Sequence, residues 1–326
     1  MSYHHLNLSE RGQIEGMLRV GTSKAAIAAT LGRNRTTVSR ELKRGTGRDG
    51  VYRAADGQSR YQENRSACVR PRALDHPPLR DYVRDKLPLF WSPEQISHRL
   101  RLEFPYDGWM RVSTEAIYRT LYTDPKWKNA FGSYLRRGRR RRQKRGLRYE
   151  RRGPIANRVS IEQRPQEVEA LTEYGHWEGD TLIGKNQQGA VLTLVERKAD
   201  LLRAVPLTSR KAEEVAQAIR SVFASLPSPL RKTITFDNGS EFALHEAIAR
   251  DLSINVYFAH PYSSFERGRI ENANGLLRQY LPKSMTFSRL SSQHLAPIVN
   301  ELNDRPRKKQ AYRTPNEVFQ KLLWCT

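Results

Sequence analysis

Two acidic residues at a fixed separation are the most informative feature of this sequence. Asp237 follows an apolar run, Glu271 lies in a pattern typical of a helix, and 33 residues separate them. A third acid, Asp180, is flanked by aromatic and aliphatic residues that suit a strand. The pattern predicts that three carboxylates, carried by two strands and a helix, meet at one place.

Such a cluster suggests chemistry on phosphodiesters. Carboxylate oxygens suit hard cations such as Mg²⁺ or Mn²⁺. Two of these ions, about 3.5–4 Å apart, activate an attacking hydroxyl and stabilise the leaving oxygen of a phosphodiester. Because like charges repel, acids are rarely gathered for structural reasons alone.

The charge of the chain indicates a polyanionic partner. It has 57 Lys and Arg against 34 Asp and Glu, a formal net charge of +23. Residues 1–153 hold 34 basic and 15 acidic residues, whereas residues 154–326 hold 23 and 19. Attraction to phosphate is largely independent of sequence, so composition alone leaves DNA, ribosomal RNA and an anionic membrane open.

Other sequence features indicate the compartment. Cys68 and Cys325 are the only cysteines, and their spacing indicates neither a disulfide framework nor a zinc site. No apolar run approaches the ~18–20 residues of a membrane span, and the first residues lack a signal-peptide pattern. We expect a cytoplasmic protein that does not bind membranes.

Residues 8–44 have the pattern of three short helices. Ser9 is predicted to cap the first, and Gly32 to turn the chain into the third. The third buries Val38 and Leu42 and carries side chains suited to phosphates and to base edges in a major groove. This predicts a helix-turn-helix, against the alternative of a trihelical bundle with a solvated basic face. The predicted DNA contacts are Arg33, Arg35, Thr36, Thr37, Ser39 and Arg40.

A second helix-turn-helix pattern occupies residues 80–125. Ser92, followed by proline, predicts the start of one helix, and Ser113 the start of the next. DNA contact is one interpretation, and packing or dimerisation is the other. The candidate DNA contacts are Arg111, Ser113, Thr114 and Arg119.

An Arg-rich run follows at residues 134–152, with 11 basic residues and one acid among 19. Such a run repels itself and is predicted to be extended until it meets DNA, whose backbone it would follow without reading sequence. A flexible solvated linker is compatible with the same composition. The candidate DNA contacts are Arg139, Arg140, Arg141 and Arg142.

Three segments resemble the acidic motifs of the DDE transposases of insertion sequence family 30: residues 176–180, 236–242 and 267–280. Residues 8–44 resemble the first DNA-binding unit of the same enzymes. The resemblance implies a multidomain chain, in which an all-α helix-turn-helix part precedes an α/β ribonuclease H-like catalytic domain with a mixed five-stranded sheet.

Hydrophobic patterns over residues 174–284 agree with that fold. They predict an antiparallel meander of three strands, followed by helix, strand, helix, strand and helix. On the last helix, Ile270 and Leu277 are predicted to pack on the sheet, which places Glu271 at its rim. Arg267 and Arg278 are predicted one or two turns away, where they would hold DNA phosphates.

The predicted domains follow these patterns. They are a first helix-turn-helix (1–50), a basic connector (51–79), a second helix-turn-helix-like unit (80–125), an Arg-rich linker (126–160), the catalytic domain (161–284) and a C-terminal helical tail (285–326).

Each acid by itself has a purely structural interpretation. Asp237 begins a common turn signal, Asp180 could end a strand, and Glu271 could be a solvated helix residue. Their order within matching motifs favours a shared site. The nearby Glu178 and Glu241 are predicted to support that site rather than to form it.

The resulting hypothesis is a DNA transposase. It would bind the terminal inverted repeats of its own element, cut one strand, and transfer the freed 3′-hydroxyl directly to another phosphodiester in target DNA. Two Mg²⁺ (or Mn²⁺) ions would be held by Asp180, Asp237 and Glu271. The resemblance further implies a joined-ends circular intermediate and an assembly of at least two subunits.

This hypothesis places the protein on the nucleoid of a bacterium. Two alternatives stay open from the sequence. One is a DNA-binding repressor with an inactive nuclease-like domain, and the other is a site-specific nuclease that does not join ends.

Overall fold

The computed structural model describes residues 4–68, 72–135, 155–261 and 263–325. It divides into two compact units, Met1–Asp75 and His76–Thr326. The helices of the first unit are Leu8–Arg19 (α1), Lys24–Thr30 (α2), Arg35–Gly45 (α3) and Ala54–Ala67 (α4).

The cap of α1 differs from the prediction. Asn7, rather than Ser9, caps the helix: its side-chain oxygen accepts the Glu10 N–H at 2.8 Å, and Glu10 accepts the Asn7 N–H at 2.8 Å. This reciprocal pair satisfies two backbone donors at once, which a single serine cannot do. Ser23 caps α2 and Asn34 caps α3.

Helix α4 lies in the stretch predicted to be a connector. It packs against α1 and α3, and its first N–H, from Ala54, donates to the Glu15 carboxylate at 2.8 Å. Only Ala54 and Gly57 of this helix are buried, and no side chain caps it. The helix therefore has almost no apolar periodicity by which the sequence could reveal it.

A buried ion pair lies in the core of the first unit. Arg11 and Glu41 are each 1% exposed, and their Nε and Oε1 atoms are 2.8 Å apart. The Tyr52 hydroxyl donates to the same carboxylate at 3.3 Å, and Arg44 pairs with its other oxygen at 2.7 Å. The pair joins α1 to α3, the helix predicted to read DNA.

Glu41→Gln is expected to destabilise this unit by about 3 kcal/mol, because Arg11 would keep its charge in a site without a counter-ion. Amide hydrogen exchange of α1–α4 in the full chain measures the effect as a loss of protection. The control is Asp49→Asn, since the Asp49–Arg53 pair is about half exposed (46% and 48%) and is expected to contribute little to stability. Equal protection in the two variants would contradict the prediction.

Among its described residues, the second unit begins with four helices and a fifth, shorter one. Ser92 caps its helix through a reciprocal pair of hydrogen bonds with Gln95, and Ser113 caps the next helix. Both predicted starts are confirmed. The helices are Pro77–Lys86 (α5), Pro93–Glu103 (α6), Thr114–Thr123 (α7), Pro125–Phe131 (α8) and Gln166–Ala170 (α9).

A five-stranded mixed sheet follows, in the order β3-β2-β1-β4-β5. The first three strands are antiparallel neighbours, whereas β4 runs parallel to both β1 and β5. The strands are His176–Ile183 (β1), Ala190–Glu196 (β2), Leu201–Leu207 (β3), Thr233–Phe236 (β4) and Asn255–Phe258 (β5). The helices among and after them are Ala212–Ala224 (α10), His245–Leu252 (α11), Gly268–Leu277 (α12), Ser292–Asn303 (α13) and Pro315–Cys325 (α14).

Helices cover both faces of this sheet. On one face, Ile219 and Phe223 of α10 pack with Trp177 and Phe236. On the other, Ile270 and Leu277 of α12 pack with aliphatic residues of β1 and β2, as predicted. Every residue of β2 is buried, which is typical of a central strand covered on both sides. The predicted ribonuclease H-like strand and helix order is present.

Helix α6 packs on the C-terminal segment rather than standing free. Arg99 donates to both carboxylate oxygens of Glu317 in α14, at 2.5 and 2.7 Å. His98 stacks on Tyr312 with ring centroids 4.1 Å apart, and Gln95 donates to the Pro306 carbonyl at 2.8 Å. These contacts support the packing interpretation of the second helical unit.

Candidate active site

Asp180 lies in β1, and a glycine precedes it for a steric reason. A Cβ on Gly179 would lie 2.4 Å from the Phe236 ring, so only glycine fits beside that packed side chain. The Asp180 carboxylate accepts the Thr181 N–H and the Asn274 side-chain N–H, both at 2.9 Å. It is thus oriented by its own strand and by α12.

Asp237 is brought beside Asp180 by the parallel pairing of β1 and β4. The register sets His176 opposite Thr233 and Glu178 opposite Thr235. Extending that register by two residues sets Asp237 level with Asp180. Asp237 then turns the chain by accepting the Gly239 N–H at 3.0 Å.

The guanidinium of Arg267 lies between these two acids. Its Nη1 is 3.9 Å from Asp180 Oδ1, and its Nη2 is 3.8 Å from Asp237 Oδ2. Nη1 also donates to the Gly179 carbonyl at 3.2 Å. Arg267 is 8% exposed, so it lies inside the site and not on the outer surface, where the sequence predicted a phosphate contact.

Glu271 lies in the first turn of α12. Asn274, which contacts Asp180, follows it by three residues, a spacing that favours a common side of the helix, and Arg267 precedes it by four, just before the helix begins. The Glu271 side chain is exposed. Within the described residues, no group of three His, Cys, Asp or Glu could hold a metal ion. The structure thus brings Asp180 and Asp237 together, and Glu271 as third ligand stays a prediction.

Burial raises the pKa of Asp180 to about 6, because its charged form loses contact with water. Arg267 opposes this shift, whereas Asp237 adds to it through repulsion of like charges. Glu241 adds a smaller repulsion from 3-10 segment Ser240–Phe242, where it accepts the Thr181 hydroxyl at 2.9 Å. The repulsion among these carboxylates favours the binding of a cation beside Asp180.

Glu178 anchors the helix that carries Glu271. Its Oε2 accepts the Ile270 N–H at 2.9 Å, in the first turn of α12. No side chain of that helix caps its own start, so Glu178 supplies the missing acceptor from β1. Arg197 pairs with the other Glu178 oxygen at 3.1 Å. The predicted supporting role of Glu178 thus has a structural basis.

A second buried acid, Glu196, ends β2 and organises the turn after it. It accepts backbone N–H groups from Gly175, Lys198 and Ala199. Burial nevertheless raises its pKa to about 7 from 4.5. Since the folded pKa is above the unfolded one, this group stabilises the fold fully below pH 4.5, and the contribution is lost as the pH rises through 7.

Glu196→Gln is therefore expected to flatten the pH dependence of stability. Between pH 4.5 and 7.5, the free energy of unfolding of the second unit is expected to fall by up to ~3 kcal/mol more in the wild type than in the variant. Urea unfolding followed by tryptophan fluorescence measures this difference. Parallel curves for the two proteins would contradict the prediction.

The predicted DNA contacts of the first unit differ in accessibility. Arg35, Thr36 and Arg40 are exposed on α3, and Thr37 and Ser39 are half-buried. Arg33 is held by an ion pair with Glu10, at 2.8 Å. The exposed face of α3 is thus basic and hydroxylated, as predicted.

The other predicted DNA contacts have varied positions. Arg111 donates to the carbonyls of residues 100, 105 and 110, and Arg278 donates to those of residues 183 and 281. Ser113 caps α7, Thr114 begins it half-buried, and Arg119 is exposed on it. Arg139, Arg140, Arg141 and Arg142 lie outside the described residues.

The roles of two residues of the site could not be predicted correctly from the sequence. Asn274 was assigned no role, although it binds Asp180, and Arg267 was assigned to DNA. The only available signal was their shared stripe with Glu271 on α12. That stripe indicates a common face, but it does not tell whether the face looks outward or toward β1.

Two family models match the chain. A helix-turn-helix domain covers residues 2–45, and an integrase core domain covers residues 171–264. The second includes all five strands and both aspartates of the site. Together they define a polynucleotidyl transferase-type enzyme that carries a helix-turn-helix DNA-binding domain.

Relatives that match nearly the whole of this chain identify its family within this class of enzyme. The chain is 41% identical over 324 residues to the transposase for insertion sequence element IS4351 of Bacteroides fragilis, covering 98% of this chain and 96% of that protein. It is 38% identical over 326 residues to transposase InsI for insertion sequence element IS30A of Escherichia coli (strain K12), covering 97% and 84%. The chain belongs to the insertion sequence family 30 transposases, as its motifs predicted.

Among solved structures, the catalytic core domain of BIV integrase matches 46% of this chain and 97% of its own, with 22% sequence identity and a TM-score of 0.37. In the described part of this chain, no helix is both long and apolar enough to cross a bilayer.

Proposed function

We propose that this transposase binds the terminal inverted repeats of its insertion sequence and catalyses metal-dependent strand cleavage followed by transfer of the 3′-hydroxyl. The observation that carries the proposal is the pairing of Asp180 with Asp237 around one cationic group. Two carboxylates on neighbouring parallel strands, already gathered around a guanidinium, are a donor set that fits Mg²⁺ or Mn²⁺. In this proposal Glu271 is the third ligand.

The residues of the chain have separable roles in this reaction. Two bound divalent ions would make a hydroxyl nucleophilic near neutral pH and neutralise the leaving oxygen. Asn274 and the Thr181 N–H hold the Asp180 carboxylate in one orientation, and Glu178 holds the start of α12. Arg267 lowers the repulsion between the two aspartates, which allows them to stay close together.

DNA recognition is assigned to the exposed face of α3, through Arg35, Thr36 and Arg40. Side chains of these types make phosphate contacts and read base edges in the major groove. Handling two element ends together requires at least two subunits, so we propose a homo-oligomer that also engages target DNA. The matches give no support to a repressor with an inactive nuclease-like domain.

The test is incubation of the full chain with labelled element ends and unlabelled plasmid, with Mg²⁺ or with EDTA. We expect nicked and joined products with Mg²⁺ and neither with EDTA. Nicks without joined products would favour a nuclease that does not join ends. Sequence-specific binding without either product would favour the repressor.

A further inference from the structure

A large cleft in the second unit is lined by neither aspartate of the candidate active site. Its volume is about 1070 Å³, and it lies among α6, α7, α12 and the segment that follows α13. Arg269, Asn272 and Leu276 of α12 line it, whereas Asn274 of the same helix and Arg267, just before the helix, contact Asp180. One helix therefore separates the cleft from the candidate active site.

Aromatic rings line much of this cleft. Tyr118 and Tyr122 are parallel, with centroids 6.0 Å apart, and Tyr122 is 64% exposed. Phe265, just before α12, also lines the cleft and is 80% exposed. Planar rings left open to solvent in a cleft suit planar ligands, because a nucleobase stacks on such rings whatever its identity.

Phe90 contributes a ring held in an uncommon backbone conformation. Its φ is 56°, in the left-handed region that bulky residues rarely adopt. Edge-to-face contacts with Tyr134 and Tyr280, at 5.3 and 5.1 Å, hold the ring in place. Backbone strain of this kind persists only where the surroundings enforce it, and it concentrates at functional sites.

The cleft also offers a buried cationic donor. Arg197 lines it with a side chain only 7% exposed, and its Nη1 has no hydrogen-bond partner among the described residues. The Nε of Arg197 faces Glu178 and its Nη2 faces Glu169. A buried N–H without an acceptor is costly, and a phosphate oxygen is an acceptor that suits a guanidinium.

The charges of the lining agree with an anionic ligand. Six basic and four acidic residues line the cleft. The acids are already engaged: Glu178 and Glu169 by Arg197, Asp200 by Arg269, and Glu266 by His260. The basic members are Arg197 and Arg269, which neutralise three of these acids, Lys308, which pairs with Glu94 at 2.7 Å, and Arg305, Arg307 and Lys309.

We infer that this cleft binds a short unpaired stretch of DNA, two or three nucleotides at the element end beside the cleavage position. Its volume is just above the ~300–1,000 Å³ typical of ligand pockets, which is enough for a few nucleotides and too little for a duplex. The assignment rests on the proposed function for the identity of the DNA. It extends that function, because the base pairs at the element end must separate before or during cleavage.

The test compares two duplexes that carry the terminal repeat, one fully paired and one with its last three base pairs mismatched. The middle unpaired base is 2-aminopurine, and binding to the full chain is measured in EDTA. Stacking of one base contributes about 1–3 kcal/mol, so we expect the mismatched end to bind the wild type roughly 5- to 100-fold more tightly. Fluorescence of 2-aminopurine is expected to fall on binding.

The site is tested by replacing exposed aromatic residues at its rim. Arg197 is left unchanged, because its replacement would leave the buried Glu178 without its ion-pair partner. We expect Tyr122→Ala combined with Phe265→Ala to abolish the preference for the mismatched end, and Tyr122→Phe, which keeps the ring, to retain it. The matched control is Tyr106→Ala, a fully exposed aromatic outside the cleft (100%), which is expected to retain the preference.

Equal affinity of the wild type for the two duplexes would overturn the inference, and so would a preference that survives in the double alanine variant. Equal loss of affinity for paired and mismatched ends would also overturn it, because the cleft surface would then contact duplex DNA. Cleavage plays no part in this EDTA measurement. A positive result alongside failure of the Mg²⁺ assay would therefore retain the cleft and refute only the proposed reaction.

Discussion

Asp180→Asn is expected to lower the rate of strand cleavage by at least about 10³-fold while leaving affinity for element ends unchanged. The substitution keeps the size of the side chain and an oxygen that can accept the Asn274 N–H. It removes one of the two carboxylates that are paired around Arg267. Loss of several kcal/mol of charge stabilisation corresponds to this factor, since each 1.36 kcal/mol is tenfold in rate.

The same substitution is expected to stabilise the metal-free protein, which separates lost chemistry from lost folding. Asp180 has a folded pKa raised to about 6 from 3.8, so its contribution to stability is present below pH 3.8 and is lost as the pH rises through 6. At pH 7.5 the ionised, buried carboxylate is a cost that Asn removes. We expect a gain of about 1–2 kcal/mol in EDTA, because the side chain is 25% exposed.

Single-turnover cleavage with Mg²⁺, end binding in EDTA and urea unfolding in EDTA measure these three effects. The control is Asp251→Asn, an exposed acid of α11 that pairs with Arg220 at 2.8 Å. It is expected to change each quantity by less than about twofold, or under ~1 kcal/mol. Cleavage by Asp180→Asn at the wild-type rate, or wild-type cleavage in EDTA, would contradict the assignment.

Arg267→Gln is expected to lower the stability of the second unit by about 2–4 kcal/mol in EDTA. The substitution leaves Asp180 and Asp237 close together with no cation between them, and removing one partner from a buried ion pair is strongly destabilising. Divalent cations are then expected to stabilise the variant more than the wild type, because the guanidinium no longer competes for the two carboxylates. Urea unfolding with and without Mg²⁺ measures both effects.

The matched control for this prediction is Arg220→Gln. Arg220 pairs with Asp251 on the surface, with side chains 32% and 42% exposed, so its loss is expected to cost under ~1 kcal/mol. An Arg267→Gln variant as stable as the control, or one with the same response to Mg²⁺ as the wild type, would show that Arg267 does not compensate the aspartates.

Local signals in the sequence were sufficient for most of the elements. Ser92 and Ser113 each cap the helix predicted to start there, because a cap depends on residues within one turn of it. The strands could be predicted from the sequence, because continuous apolar runs are typical of strands in a sheet that is covered on both faces. Helix α4 was missed because burial of only two of its residues leaves no periodicity.

Contacts between distant residues could not be predicted in the same way. The sequence left open whether α6 and α7 bind DNA or pack, and the Arg99–Glu317 pair that fixes α6 joins residues more than 200 positions apart. The cleft beside α12 is lined in part by the segment after α13, which is distant from α6 and α7 in the chain.

The amino-acid sequence was enough to determine the family and the order of the strands and helices of the sheet, and to predict that Asp180 and Asp237 meet, because these depend on local patterns and on spacing along the chain. The folded arrangement alone established that Arg267 faces inward between Asp180 and Asp237, and that Asn274 orients Asp180. The direction in which a side chain on α12 points is set by how that helix packs on the sheet, and that packing depends on residues far away in the chain.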